Sequence, residues 1–297
     1  MILVVGSTGT LGRKVARSLV SSGEQVRAMS RSLAKTDELK AFGARPVRAD
    51  LRDPDSLEFA LRGVRIVVAA AHSLLGRGDD GSEKIDYEGH RTLIDQAREA
   101  GVEHFIYTSV VGASHDHPID FWRSKAKIED YLRDSGLTYT IVRPTSFMET
   151  HAYMLLGKYV LEGKRVLLFG RGKNKRNFIA AEDVAKAIVG AIRVPSLRNE
   201  AIDIGGPENL SAREVISVFE RVSGVKAKVS AVPLYMIRAT AMAAKPVHEG
   251  VSRVLRIAIL NETTDQTFDP SLSRAKLPLS LTTLEAWVSN RLGASSR

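Results

Sequence analysis

The chain has 297 residues, a formal net charge of +9 and 44% hydrophobic residues, which is enough apolar material for a packed core and argues against disorder. It contains no cysteine, which excludes disulfides and thiolate metal sites. The positive surplus favours anions without selecting one, and no helix-turn-helix, zinc or aromatic RNA-binding pattern accompanies it, so nucleic acid is not an expected partner.

The first apolar run, ILVV at 2–5, reads as a strand with no secretory leader ahead of it, and a soluble cytoplasmic protein is expected. The most apolar later stretch, IVVAAA at 66–71, falls far short of the roughly 20 residues needed to cross a bilayer, and Arg238 interrupts AVPLYMIRATAMAA. No membrane span is expected.

After the first strand comes GSTGTLG and then GRKVARSLVSSG, whose apolar Val15, Leu19 and Val20 share one helical face. QVRAMSR, RPVRADL, RIVVAAA, HFIYTSVVG and LTYTIVRP read as further strands. AKTDELKAFG, PDSLEFALRG, EKIDYEGHRTLIDQAREAG and SKAKIEDYLRDSG read as the helices between them, several closing on glycine. Strands alternating with helices pair in parallel, because only a crossover reaches a parallel neighbour. The expected fold class is therefore α/β, a doubly wound parallel sheet of Rossmann type, whose ligands sit beyond the carboxyl ends of the strands.

From about 146 the pattern changes to a helix over 146–163, a short strand VLLF, a basic loop GRGKNKRN and helix AAEDVAKAIVGAIR. Strand AIDIGG, helix SAREVISVFERVSG, strand KAKVSAVP and mainly helix follow, with the tail GASSR expected to fray. A Rossmann domain over 1–150 and a smaller, mostly helical substrate part over 151–297 are expected. Segments near 178–206 should return to the first domain.

A strand that enters a helix through a glycine-rich turn aims backbone N–H groups and the positive end of the helix dipole at one point, which suits a pyrophosphate. Gly6, Thr8, Gly9, Thr10, Leu11 and Gly12 are accordingly expected to contact a dinucleotide. At the end of the second strand an acid would bond a ribose 2′-hydroxyl, whereas an arginine would meet a 2′-phosphate. The segment VRAMSRSLAK holds Arg31 and no acid, so NADP is the expected cofactor, with Lys35 or Arg13 able to share the contact. Asp50 and Leu51, after the third strand, would flank the adenine. Ala70 and Ala71, after the fourth, are small where cofactor backbone approaches.

With these pieces in place the sequence resembles the NmrA-like branch of atypical short-chain dehydrogenase/reductases. The resemblance is carried in order by GSTGTLG, VRAMSR, ADLRDPDSL, AREAGVEHFIYTSVVGA, SKAKIEDYLRDSGLTYTIVRPTSFME, FIAAEDVAKAI and IGGPENLSAREV. It implies a catalytic lysine at Lys125, holding the nicotinamide ribose, and a substrate-steadying serine at Ser109. It also implies that Pro144 and Phe147 run beside the nicotinamide. The superfamily's proton-carrying tyrosine lies four residues before that lysine, and here the position is Phe121. Phenylalanine carries no proton, so ordinary carbonyl reduction is not expected, nor is nucleotide-sugar epimerisation, which needs the same tyrosine.

Two functions remain open. One is an NADP(H)-dependent oxidoreductase passing hydride to a small-molecule substrate such as a quinone or enone. The other is a non-catalytic NADP(H)-binding sensor or assembly protein with a protein partner. His72 could face the nicotinamide, and His115, Asp116 and His117 could offer a replacement acid. His-x-His without a third ligand does not make a metal site, and none is expected. Met148, Tyr153 and Met154 could line an apolar pocket or simply belong to the core. The run RGKNKR at 171–176 is expected to be a solvated loop.

Overall fold

The computed structural model describes residues 1–276 and 278–295, and two compact units are distinguishable within it. The first unit comprises Met1–Arg143 and Val184–Asp203, and the second comprises Pro144–Asp183 and the chain from Ile204 onward. No described helix is long and apolar enough to cross a membrane.

In the first unit, strands and helices alternate as β1 (Ile2–Val5), α1 (Thr10–Ser21), β2 (Val26–Ser30), α2 (Asp37–Ala41), β3 (Arg45–Arg48), α3 (Pro54–Leu61) and β4 (Ile66–Ala69). They continue as α4 (His90–Glu99), β5 (His104–Thr108), α5 (Asp120–Asp134) and β6 (Tyr139–Pro144). A seventh strand, β10 (Glu200–Ile204), completes a sheet in the order β10-β6-β5-β4-β1-β2-β3. Every neighbouring pair from β3 to β6 is parallel, with Ile2 opposite both Val26 and Ile66. Strand order reverses beside β1, between β2 and β4, so the crevice for a ligand opens beyond Val5.

The central strands β1 and β4 are apolar throughout, and β5 is buried along its whole length, because helices cover both faces of a parallel sheet. One core runs from Leu3, Val5 and Met29 through Val67, Phe105 and Tyr107 to Leu93, Ile94, Ile128 and Leu132. Local signals fix the helix starts. Asp53 caps α3 by accepting from the Ser56 amide, with Pro54 in the first turn. The segment expected as one helix before α4 opens as a π-helical stretch, Glu83–Gly89, whose wider turns bring Asp86 to the buried side.

The second unit departs more from expectation. Ser146 and Phe147 form a short strand, β7, instead of starting a helix. They are followed by a π-helical stretch, Met148–Gly157, and by α6 (Lys158–Leu161). After β8 (Arg165–Phe169) the basic run is not all loop, because Lys175–Ile179 is strand β9, and α7 (Ala181–Arg193) follows. Strand β11 (Glu208–Ser211) completes a sheet in the order β11-β9-β7. Next come α8 (Ala212–Ser223), opened by a capping box of Ser211 and Glu214, and β12 (Lys228–Val232), paired parallel with β8. Then follow α9 (Leu234–Ala244), α10 (Glu249–Thr263), α11 (Pro270–Lys276) and α12 (Leu284–Ser295). The tail expected to fray is helical as far as Ser295, and its last two residues lie outside the described residues. The unit has its own core, built around Met148, Leu156, Phe178, Val215, Phe219 and Val288.

Candidate functional site

The turn after β1 is shaped by what a β-carbon would hit. Gly6 has φ +77°, and a Cβ there would stand 2.8 Å from both N and Cα of Ala71. A Cβ on Gly12 would stand 2.2 Å from the Gly6 carbonyl oxygen, so helix α1 can sit this close to the turn only with glycine at 12. The turn is closed by the Gly9 amide donating to Gly6 O at 3.0 Å, and by the buried Ser7 hydroxyl donating to Met29 O at 2.9 Å. Helix α1 then starts with no capping side chain and no acid in its first turn, while Gly9 and Thr10 lie exposed. An uncapped helix start next to a glycine cradle fits an anionic diphosphate. Thr8 is half-buried and Leu11 is buried beneath the turn.

Beyond β2 and β3 lies a cleft of about 750 Å³ whose lining includes Arg31, Asp50, Leu51, Arg52, Lys84 and Gly89. Arg31 stands at its rim, with its guanidinium 2.7 Å from Asp80. Asp50 is held by Arg52 through a fork of hydrogen bonds at 3.0 and 2.6 Å, which lowers its carboxyl below the usual carboxylate range. Leu51 packs against Gly89, where a Cβ would come within 2.8 Å of it. Arg13 is engaged by Glu38 at 2.8 Å and by Thr8 O, and Lys35 is exposed on the turn after Ser32. The structure thus gathers the glycine turn, Ala70, Ala71, Arg31, Asp50 and Leu51 along the carboxyl ends of β1 to β4.

A second cluster lies beneath the end of β5. Lys125, on α5, is buried and donates to Thr108 O at 3.1 Å. Its ammonium also lies 4.8 Å from the Tyr107 ring centre, 5.5 Å from that of Phe121 and 3.9 Å from an Asp86 oxygen. Burial pulls the lysine below its ordinary pKa, while Asp86 and Glu129 pull it back up. Asp86 is fully buried and accepts from the Ser73 amide through both oxygens at 3.2 Å. The exposed His72 meets the Phe121 ring edge-on at 5.9 Å. His90 donates from Nδ1 to Ile85 O, which fixes its tautomer, and burial lowers its pKa to about 3. Its Nε2 and the Tyr107 hydroxyl, both buried, have no hydrogen-bond partner among the described residues. Burial raises the tyrosine far above its ordinary range, so it stays protonated.

Ser109, the residue expected to steady a substrate, is engaged by its neighbours. Its hydroxyl donates to Glu129 at 2.5 Å, and Glu129 is also clamped by Arg143 Nε at 2.9 Å and by Arg133 at 3.1 Å. The serine is thereby tied into a buried ionic knot joining α5 to β6. Of the loop residues, His115 pairs with Asp130 at 2.6 Å and His117 stacks on Trp122, so the two histidines have separate partners. Among the described residues no group of three metal-ligating side chains occurs.

Pro144, the last residue of β6 and the first of the second unit, is followed by Phe147, which pairs with Ile179 of β9. There Met148 is core, Met154 is exposed, and Tyr153 lies under the Arg291 guanidinium at 3.8 Å beside Trp287. The basic run is pinned at its start, because the Arg171 and Gly172 amides both donate to Glu262 at 3.0 Å.

Sequence reasoning missed Asp86, His90, Tyr107 and Asp80. Asp86, His90, Leu93 and Ala97 repeat at helical spacing on one face, and an acid within that apolar stripe was the legible signal for the first two. Asp80 left no signal, being 49 residues from its partner Arg31.

The reversal of strand order beside β1, the glycine turn and the uncapped α1 define a Rossmann-type fold. The chain belongs to the NmrA-like family, whose model matches residues 1–288. It is 32% identical over 238 residues to the photosystem II assembly factor Ycf39 of Cyanophora paradoxa, covering 78% of this chain and 72% of that one. It is 31% identical to an NAD(P)H azoreductase of Xenophilus azovorans, covering 79% and 78% of the two chains. In structure it matches an NADPH-dependent quinone oxidoreductase from Escherichia coli in complex with NADPH. That match has a TM-score of 0.79 at 24% identity, over 98% of this chain and all of the other.

Proposed function

We propose that this protein is an NADP(H)-dependent oxidoreductase that reduces a small, electron-poor acceptor, such as a quinone or an activated alkene, without a tyrosine-borne proton. The observation carrying this reading is the cradle in which Gly6 and Gly12 leave no room for a β-carbon in front of an uncapped helix. The amides of Thr10 to Gly12 would hold the pyrophosphate, Arg31 the 2′-phosphate, Asp50 and Leu51 the adenosine, and Lys125 the nicotinamide ribose. When bound, NADPH supplies a hydride.

The chain's own groups bias the acceptor. Phe121 presents a ring where the superfamily places a hydroxyl, so nothing there protonates a carbonyl oxygen. Lys125, its ammonium desolvated between two rings, offers positive charge to oxygen-borne negative charge as it develops. An acceptor whose reduced form is a stabilised anion then takes its proton from water. The buried, neutral His90 and protonated Tyr107 keep the region beneath the lysine free of further cations.

A second reading is a non-catalytic NADP(H)-binding assembly or regulatory protein acting through a protein partner. It is favoured by Phe121 and by the similarity to photosystem II assembly factors. Mixing the protein with NADPH and a panel of quinones and enones, and following cofactor absorbance, separates the two. Oxidation that is lost in Lys125→Met supports the enzyme. Tight binding with no turnover across the panel supports the assembly protein.

A further inference from the structure

The segment between β4 and the π-helical stretch before α4 is closed on itself and ends on the cleft. The Ser73 hydroxyl donates to Asp80 O, while the Ser73 amide is held by buried Asp86. One serine therefore ties the segment both to the lysine cluster and to the arginine at the end of β2. At the cleft, a single Asp80 oxygen lies 2.7 Å from Arg31 and 3.3 Å from Arg52, while Arg52 spends its other edge on Asp50.

A carboxylate oxygen shared by two guanidinium groups is the environment that a phosphate oxygen would seek there. We propose that Asp80 is an internal anion occupying the seat of the ribose 2′-phosphate, and that residues 72–82 form a latch opened by NADP(H) and left closed by NAD(H). The proposal rests on the NADP(H) reading above. It adds Asp80 and Arg52 as determinants of which dinucleotide is accepted.

The exchange runs in the ligand's favour. Arg31 and Asp80 keep 62% and 55% of their side-chain surface in solvent, and exposed pairs of this kind are weak. A phosphate carries more charge and more acceptor oxygens than a carboxylate, and both guanidinium groups are already aligned. NADPH displaces Asp80 and frees the segment. NADH, with only a hydroxyl at that position, leaves the ion pair intact, so part of the affinity for NADPH is consumed in breaking a contact that NADH never meets.

The test measures NADPH and NADH affinities by calorimetry for the wild type and Asp80→Asn, with amide hydrogen exchange over 76–81 in the wild type as a readout independent of the variant. Removing the competing charge should tighten NADPH binding about two- to fivefold and leave NADH unchanged. Exchange over 76–81 should rise with NADPH and not with NADH. If both nucleotides bind but Asp80→Asn leaves their ratio unchanged, or both alter exchange alike, the latch is refuted and the cofactor reading stands. If neither binds the wild type, both fail together.

Discussion

Gly12→Ala sets two effects of opposite sign against each other. Position 12 lies in the first turns of α1, where alanine is favoured over glycine by up to about 1 kcal/mol. The new Cβ, however, would lie 2.2 Å from Gly6 O and 2.8 Å from Gly6 C, the first more than an ångström inside the ~3.5 Å of ordinary contact and the second well inside it. Both atoms are backbone, so no side chain can swing away, and overpacking of this kind costs about 1–3 kcal/mol. The turn must move off the helix, straining the Gly9-to-Gly6 hydrogen bond that closes it. Urea denaturation should show a net loss of about 1–2 kcal/mol. Calorimetry should show NADPH affinity falling at least about tenfold, equivalent to 1.4 kcal/mol, because the amides lose their common focus. If stability falls while affinity holds, the glycine spacing serves packing alone and the turn is not the phosphate seat.

Acid should destabilise the fold through two buried histidines. Burial lowers His90 to about 3 and His104 to about 4, from an ordinary value of about 6.5. The unfolded chain therefore binds more protons across this window. Stability is fully present above about pH 6.5 and declines as pH falls toward the folded values, by at most about 1.4 kcal/mol per pH unit per histidine. His104→Gln should flatten part of that slope in denaturation measured from pH 7 to 4, and an unchanged slope would contradict the assignment. Glu129→Gln strips the anion from the knot of Ser109, Arg133 and Arg143. Because Arg143 keeps some solvent, the cost should lie near the low end for broken buried pairs, about 3 kcal/mol. A loss below about 1 kcal/mol in thermal or urea unfolding would show the knot to be dispensable.

The first unit was legible because its signals are local. Six short runs set off by helical periodicity mark β1 to β6, and GSTGTLG marks its own turn. What escaped depends on partners far apart in sequence. The contact of Ser109 with Glu129 spans 20 residues of chain, and that of Arg31 with Asp80 spans 49. In the second unit, β7 has only two residues, too few for any alternation to register. Strand β9 hides in a basic run because Lys175 and Arg176 carry charge at its start while Asn177, Phe178 and Ile179 are buried. There the sheet is set by pairing with β7 and β11, not by the strand's own composition.

The central claim is that the turn after β1 seats the diphosphate of a nicotinamide dinucleotide. A calorimetric titration of the wild-type protein with NADPH and NADH tests it most directly. One NADPH should bind per chain, more tightly than NADH. Absence of binding by either nucleotide at millimolar concentration would contradict it.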